Sequence, residues 1–91
     1  LLYQAQKKYE QAETYLLRDL EIQRKVQGED HPDVGTVYNN LAGLYQMQGK
    51  HAKAAEYYRK ALNIYVEKCG EDHPMTKIIV ENLIILLASR Q

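Results

Sequence analysis

Apolar residues recur along this chain at intervals of three and four, the spacing of one face of an α-helix. The clearest case is the segment 51–68, whose apolar positions are Ala54, Tyr57, Tyr58, Ala61, Leu62 and Tyr65. Small side chains beside large ones let the ridges of one helix enter the grooves of a neighbour. The pattern therefore predicts an amphipathic helix that packs against other helices.

Two earlier segments follow the same period. The segment 9–27 predicts a helix of about five turns, and its apolar positions are Ala12, Tyr15, Leu16 and Leu20. The segment 33–48 predicts a second helix, and its apolar positions are Val34, Val37, Tyr38, Leu41 and Tyr45. Four tyrosines on such stripes are expected to pack between helices rather than to form a stacking platform: Tyr3, Tyr45, Tyr57 and Tyr58.

The last segment, 75–89, is apolar on nearly every side. A helix of this kind must be buried on more than one face. Three of its side chains are expected to lack a partner helix within this chain: Ile84, Leu86 and Leu87. Since no segment shows the alternation of a strand, the sequence predicts an all-α fold.

An identical pentapeptide occurs twice, as Gly28–Pro32 and again 42 residues later as Gly70–Pro74. The glycines suit a left-handed position at the end of a helix, the Asp-His pair supplies an N-cap, and proline fits the first helical position. Each pentapeptide is therefore predicted to join two helices, and the 42-residue spacing indicates a repeated structural unit.

The repeat divides the chain into three parts. Residues 1–32 are expected to contain the end of a first helix and the complete second helix of unit one. A turn is expected at Lys7, where the next copy has Gly49. Residues 33–74 form the complete unit two, and residues 75–91 the first helix of unit three. Gly43, inside a predicted helix, costs about 1 kcal/mol relative to alanine, so another helix or a ligand is expected to approach it closely.

The composition narrows the classes of function. Twelve basic and twelve acidic residues give no net charge, so no overall field favours nucleic acid or an anionic membrane. The longest apolar run, Leu83–Ala88, is far shorter than the roughly 20 residues that span a bilayer, so no membrane insertion is expected. The single cysteine, Cys69, favours an intracellular and cytoplasmic location over a secreted one.

Few residues offer catalytic or metal-binding chemistry. His31 and His73 have acidic neighbours, but they occupy equivalent places one repeat apart and are expected to lie too far apart to share an ion. Cys69 has no accompanying base or oxyanion motif. We therefore expect no metal, no cofactor and no enzymatic activity.

The central residues resemble the tetratricopeptide repeat, whose consensus has large, small, aromatic and glycine positions matching Tyr38, Leu41, Ala42, Tyr45, Gly49, Ala54, Tyr58 and Ala61. That consensus has a period of about 34 residues, and the present unit is longer by about two helical turns. The longer unit with its Gly-Glu-Asp-His-Pro turn resembles the kinesin light chain type of array. Two positions depart from the pattern: Asp19 replaces the alanine of Ala61, and Leu87 replaces the tyrosine of Tyr45.

The resemblance implies an α-solenoid of antiparallel helix pairs that stack into a right-handed superhelix. The first helices of the units would line a concave groove that binds a protein or an extended peptide without catalysis. The residues expected to line this groove are Thr36, Asn39, Asn40, Gly43, Gln46, Met47, Ile78, Glu81, Asn82 and Ile85. This lining is amide-rich, close to neutral and partly apolar, so it suits an extended peptide with apolar anchors.

Two alternatives remain open at this stage. The amides of Asn39, Asn40 and Asn82 could hold a ligand backbone, or they could bond a neighbouring helix. The whole chain could also be a structural module that self-assembles into a homo-oligomer through exposed ends of the solenoid.

Overall fold

The computed structural model describes the backbone of residues 2–89 and the side chains of residues 6–89. It contains four helices: α1 (Leu2–Gln27), α2 (Pro32–Met47), α3 (His51–Cys69) and α4 (Pro74–Ser89). All regular structure in this part of the chain is helical, so the predicted all-α class is confirmed. The C-terminal ends of α1 and α3 are 42 residues apart, and α4 begins and ends 42 residues after α2. This is the spacing of the two pentapeptides.

The two pentapeptides form the same turn. Gly28 and Gly70 have φ values of 96° and 86°, as the sequence predicted. Gly70 combines its φ with a ψ of 165°, which lies in a region used almost only by glycine rather than in the predicted left-handed helical region. Neither glycine would have a neighbour within 4 Å of an added Cβ, so the backbone conformation alone requires glycine there.

Histidine caps the helix that follows each turn. The Asp33 backbone N–H donates to His31 Nδ1 at 3.0 Å, and the Met75 backbone N–H donates to His73 Nδ1 at the same distance. A side-chain acceptor at this position satisfies one of the four N–H groups that a helix start leaves unpaired. The predicted Asp-His cap is therefore made by the histidine.

The helices pack in chain order. The α2 helix packs against α1 and α3, and α4 packs against α3 rather than extensively against α2. The shared core is built from buried apolar side chains of all four helices, the most enclosed being Val34, Leu41, Ala42, Tyr45, Ala54, Ala61, Ile79 and Leu86. Since each helix depends mainly on its sequence neighbours, this is the packing of a helical repeat solenoid.

Three expectations about the helices are wrong. The turn predicted at Lys7 is absent, because α1 is continuous from Leu2 to Gln27. Lysine has good helix propensity, whereas the corresponding turn one repeat later depends on Gly49, whose φ is 78°. Tyr15 is 72% exposed rather than packed in the stripe, whereas Leu86 is fully buried against α3 rather than unpartnered.

Gly43 is expected to mark a close approach of another helix or of a ligand, and the structure does not support the helix. An added Cβ at Gly43 would meet only the Tyr58 hydroxyl oxygen, at 3.8 Å, which is ordinary contact. The close approach lies at Gly35, where a Cβ would stand 3.0 Å from the Tyr65 ring and 3.3 Å from Ile64. The other predicted explanation for Gly43, the close approach of a ligand, stays a prediction.

Candidate functional site

The open face of α2 is a stripe of four residues at helical spacing: Thr36, Asn40, Gly43 and Met47. Asn40 and Met47 are exposed, and Thr36 and Gly43 are half-buried. The α1-facing and α3-facing sides of α2 flank this stripe and are largely buried. We call these four residues the α2 stripe.

The corresponding residues of α4 are also accessible. Ile78, Glu81 and Ile85 are exposed, and Asn82 is half-buried. We call these four residues the α4 stripe. Both helices pack against α3. Thr36, Asn40 and Gly43 correspond to Ile78, Asn82 and Ile85 one repeat later, whereas Glu81 corresponds to Asn39 and Met47 to Ser89.

Two of the predicted groove residues bond to α3. Tyr65 and Thr36 share a hydrogen bond between their hydroxyls, and Thr36 Oγ1 also donates to the Pro32 carbonyl at 3.2 Å. The Tyr58 hydroxyl donates to Gln46 Oε1 at 2.8 Å. Burial raises the pKa of Tyr58, so its hydroxyl keeps its proton and remains a donor. These polar groups fix α2 to α3, which leaves the Thr36 hydroxyl and the Gln46 oxygen less available to a ligand.

A buried hydroxyl joins the other side of α2 to α1. The Tyr45 hydroxyl donates to Glu13 Oε2 at 2.7 Å. Burial, and next the hydrogen bond to the Glu13 carboxylate, raise the pKa of Tyr45 well above its ordinary value. The α2 helix is therefore held by polar bonds on both flanks of its stripe.

Asn39 and Asn40 have different environments. The Asn39 side chain is half-buried, and its Oδ1 atom is enclosed without a hydrogen-bond partner among the described residues. This oxygen therefore does not make the predicted structural bond to a neighbouring helix. That is unusual, because buried polar atoms are normally paired. Asn40 is exposed, and its amide faces outward from the α2 stripe.

A cavity of about 390 Å³ lies against α4, and only part of it was predicted. It is lined by Glu71, Lys77, Val80, Glu81, Ile84 and Ile85. Glu81 and Ile85 belong to the predicted groove set. The other four extend the cavity away from the α4 stripe. The apolar character of this helix on nearly every side was the sequence signal for Val80 and Ile84, whereas the charged Glu71 and Lys77 had no such signal. The described pockets bring none of the predicted α2 residues together with those of α4.

Comparison with known proteins decides the family. A model of the tetratricopeptide repeat matches residues 1–67. The chain belongs to the tetratricopeptide repeat family. Repeats of this family generally mediate interactions between proteins. No curated protein matches the chain. The helix α4 lies beyond the matched residues, and it begins and ends 42 residues after α2.

Two histidines of this tetratricopeptide segment have a structural role. The Nδ1 atoms of His31 and His73 are used as helix caps. Within the described residues, no three His, Cys, Asp or Glu side chains converge on a common point suited to a metal ion. Cys69 is a partly buried free thiol. In the same part of the chain, every helix is too short or too polar to cross a lipid bilayer.

Proposed function

We propose that this chain is a non-catalytic tetratricopeptide segment that binds an extended peptide or protein segment along the α2 and α4 stripes. The observation that carries the proposal is the pairing of an exposed amide, Asn40, with an exposed apolar side chain, Met47, on the same α2 stripe. An extended peptide must keep its backbone polar groups paired when it leaves water. An asparagine amide supplies both a donor and an acceptor for that purpose.

The apolar residues of the stripes supply the anchor sites. Met47 is 65% exposed, and Ile78 and Ile85 are about half exposed. Methionine adapts its shape to different partners, which is why it is common at surfaces that bind varied peptides. The room beside Gly43 lets a peptide backbone come close to α2, which would account for a glycine that the packing of the helices does not require.

The charge of the stripes favours a neutral ligand. Their only charged residue is Glu81, and they contain no lysine or arginine. A partner with an acidic tail or a terminal carboxylate would need cations in the groove. The ligand we propose therefore has apolar side chains and no requirement for an acidic group.

The array is proposed to be of the kinesin light chain type and to work inside the cell. The 42-residue recurrence of the helix bounds supports the longer repeat unit. The free thiol of Cys69 is compatible with a reducing compartment.

The ligand class and its location can be tested together. A random peptide library is selected on the chain, and the enriched peptide is titrated while backbone amide shifts are followed by NMR. We expect neutral peptides with apolar residues to be enriched, and the shift changes to centre on the α2 and α4 stripes. Enrichment of acidic peptides would contradict the ligand class, and changes confined to α1 and the outer side of α3 would contradict the location.

A further inference from the structure

The α4 helix has an uncovered side next to its stripe. Val80, Ile84 and Leu87 are exposed there, Ile84 to 61%. Their counterparts one repeat earlier are Tyr38, Ala42 and Tyr45. Ala42 and Tyr45 are buried, and the Tyr38 and Tyr45 rings contact Tyr57 of α3. The repeat itself therefore indicates what fits this side of α4: a helix with the character of α3.

The α1 helix has a complementary uncovered side. Tyr15 and Ile22 are 72% and 57% exposed, and they stand at the positions of Tyr57 and Ile64 in α3. Tyr57 and Ile64 both lie at the α2–α3 interface: the Tyr57 ring is edge-on to Tyr45 at 5.3 Å between centroids, and Ile64 packs beneath Gly35. The exposed positions of α1 are therefore the ones whose counterparts in α3 pack against α2.

We propose that α4 of one copy docks against α1 of a second copy with the geometry of the α2–α3 pair. In this arrangement, Tyr15 of the second copy contacts Val80 and Leu87, as Tyr57 contacts Tyr38 and Tyr45. The contact joins different surfaces of the two copies, so it is head-to-tail and leaves one face free on each end. Further copies can then add to both ends.

The charges at the edge of this contact fit the same register. Lys60 lines one surface depression together with Glu29, Asp30 and Tyr38. The corresponding residues in the proposed contact are Arg18 of the second copy and Glu71, Asp72 and Val80 of the first. Glu21 also approaches this acidic edge, but Lys25 pairs with it at 3.3 Å. Exposed pairs of this kind select the register more than they add affinity.

One residue weakens the contact. Asp19 stands at the position of Ala61, which is fully buried in α3. Docking would enclose the Asp19 carboxylate, which accepts a hydrogen bond from Gln23 Nε2 at 3.5 Å, and burying a charge without a cationic partner is costly. The assembly is therefore weak, and it forms at high micromolar concentration.

Mass measured by light scattering across a concentration series tests the contact. The mass of the wild-type chain should rise above the 10.6 kDa of one copy, and Asp19→Ala should shift the rise to a concentration about tenfold lower or more. Tyr15→Glu and Ile84→Glu should each remain at the mass of one copy. Both residues are exposed, so circular dichroism should show the same helix content as wild type. A wild-type chain that keeps the mass of one copy would overturn the proposal.

Mixing the two charged variants separates head-to-tail docking from a symmetric α4–α4 dimer. Tyr15→Glu retains an intact α4 and Ile84→Glu an intact α1, so their equal mixture should double in mass and grow no further. A symmetric dimer would instead tolerate Tyr15→Glu, and that result overturns head-to-tail docking. Asn40→Ala should leave the mass of the assembly unchanged, so a failure of peptide binding and a failure of assembly give different results.

Discussion

Gly35 and Gly43 both lie within α2, but only Gly35 is required by packing. The Tyr65 ring stands 3.0 Å from the Cβ position of Gly35. That ring cannot move away easily, because it is buried and its hydroxyl is bonded to Thr36. Gly43 has no comparable neighbour within the described structure. Relative to alanine, glycine is therefore expected to stabilise the fold at position 35 and to destabilise it at position 43.

Replacing each glycine by alanine tests this difference. Gly43→Ala should raise the free energy of unfolding by up to about 1 kcal/mol, the difference in helix propensity. Gly35→Ala gains the same propensity, but overpacking typically costs about 1–3 kcal/mol, so we expect a net loss. Urea denaturation of both variants measures these changes. A Gly35→Ala chain as stable as Gly43→Ala would show that the Tyr65 ring moves aside.

Thr76 gives a second prediction at this scale. It is 1% exposed, and its Oγ1 has no hydrogen-bond partner among the described residues. The equivalent residue of α2 is the fully buried Val34. Thr76→Val removes an unpaired buried hydroxyl and keeps the shape, so it should raise the free energy of unfolding by about 1 kcal/mol.

The matched control for Thr76→Val is Thr14→Val. Thr14 is exposed, and its hydroxyl donates to the Glu10 carbonyl at 3.0 Å. Its replacement should change stability by less than about 0.5 kcal/mol, as surface substitutions usually do. Loss of stability in Thr76→Val would mean that its hydroxyl does have a partner.

The helix-joining turns are set by their glycines. Gly70→Val should lower the free energy of unfolding by about 1–3 kcal/mol, because a β-branched residue is strained at φ 86° and ψ 165°. The neighbouring Glu71→Val serves as control, since no residue other than glycine has a positive φ in the described chain. Thermal unfolding of the two variants makes the comparison. Equal melting temperatures would contradict the role of the Gly70 backbone.

The sequence predicts a helix end well where a residue itself favours a particular backbone conformation, as glycine and proline do. It predicts other helix ends less well. Gly28, Gly49 and Pro74 mark the ends that the structure contains. The turn at Lys7 was inferred only from correspondence with Gly49, and lysine does not impose a turn. Burial was harder to predict than helix position, because it depends on which neighbours are present. Tyr15 has the spacing of a core residue, but no helix covers it in the described structure.

The whole molecule is a flat slab of 41 × 34 × 18 Å, about two helices thick. Helices packed in sequence leave an open stripe on α2 and on α4. The sequence predicted both helices, because the repeat fixes which positions are equivalent. It did not predict that Tyr65 and Tyr58 would engage Thr36 and Gln46, because such bonds depend on side-chain geometry between helices.

A ligand-binding role and a structural role for Asn40 predict different effects of replacing this residue. Asn40 is exposed on α2, and Asn63 is an exposed asparagine on α3 outside both stripes. Truncating a residue that bonds a ligand leaves the ligand's polar group unpaired. Truncating an exposed residue that bonds only water changes stability little.

The most direct measurement is therefore the affinity of Asn40→Ala for a library-selected peptide, taken together with its thermal midpoint. We predict binding weaker by about 1 kcal/mol or more and an unchanged midpoint, while Asn63→Ala changes neither. A lower midpoint with unchanged affinity would contradict the account and make Asn40 a structural residue.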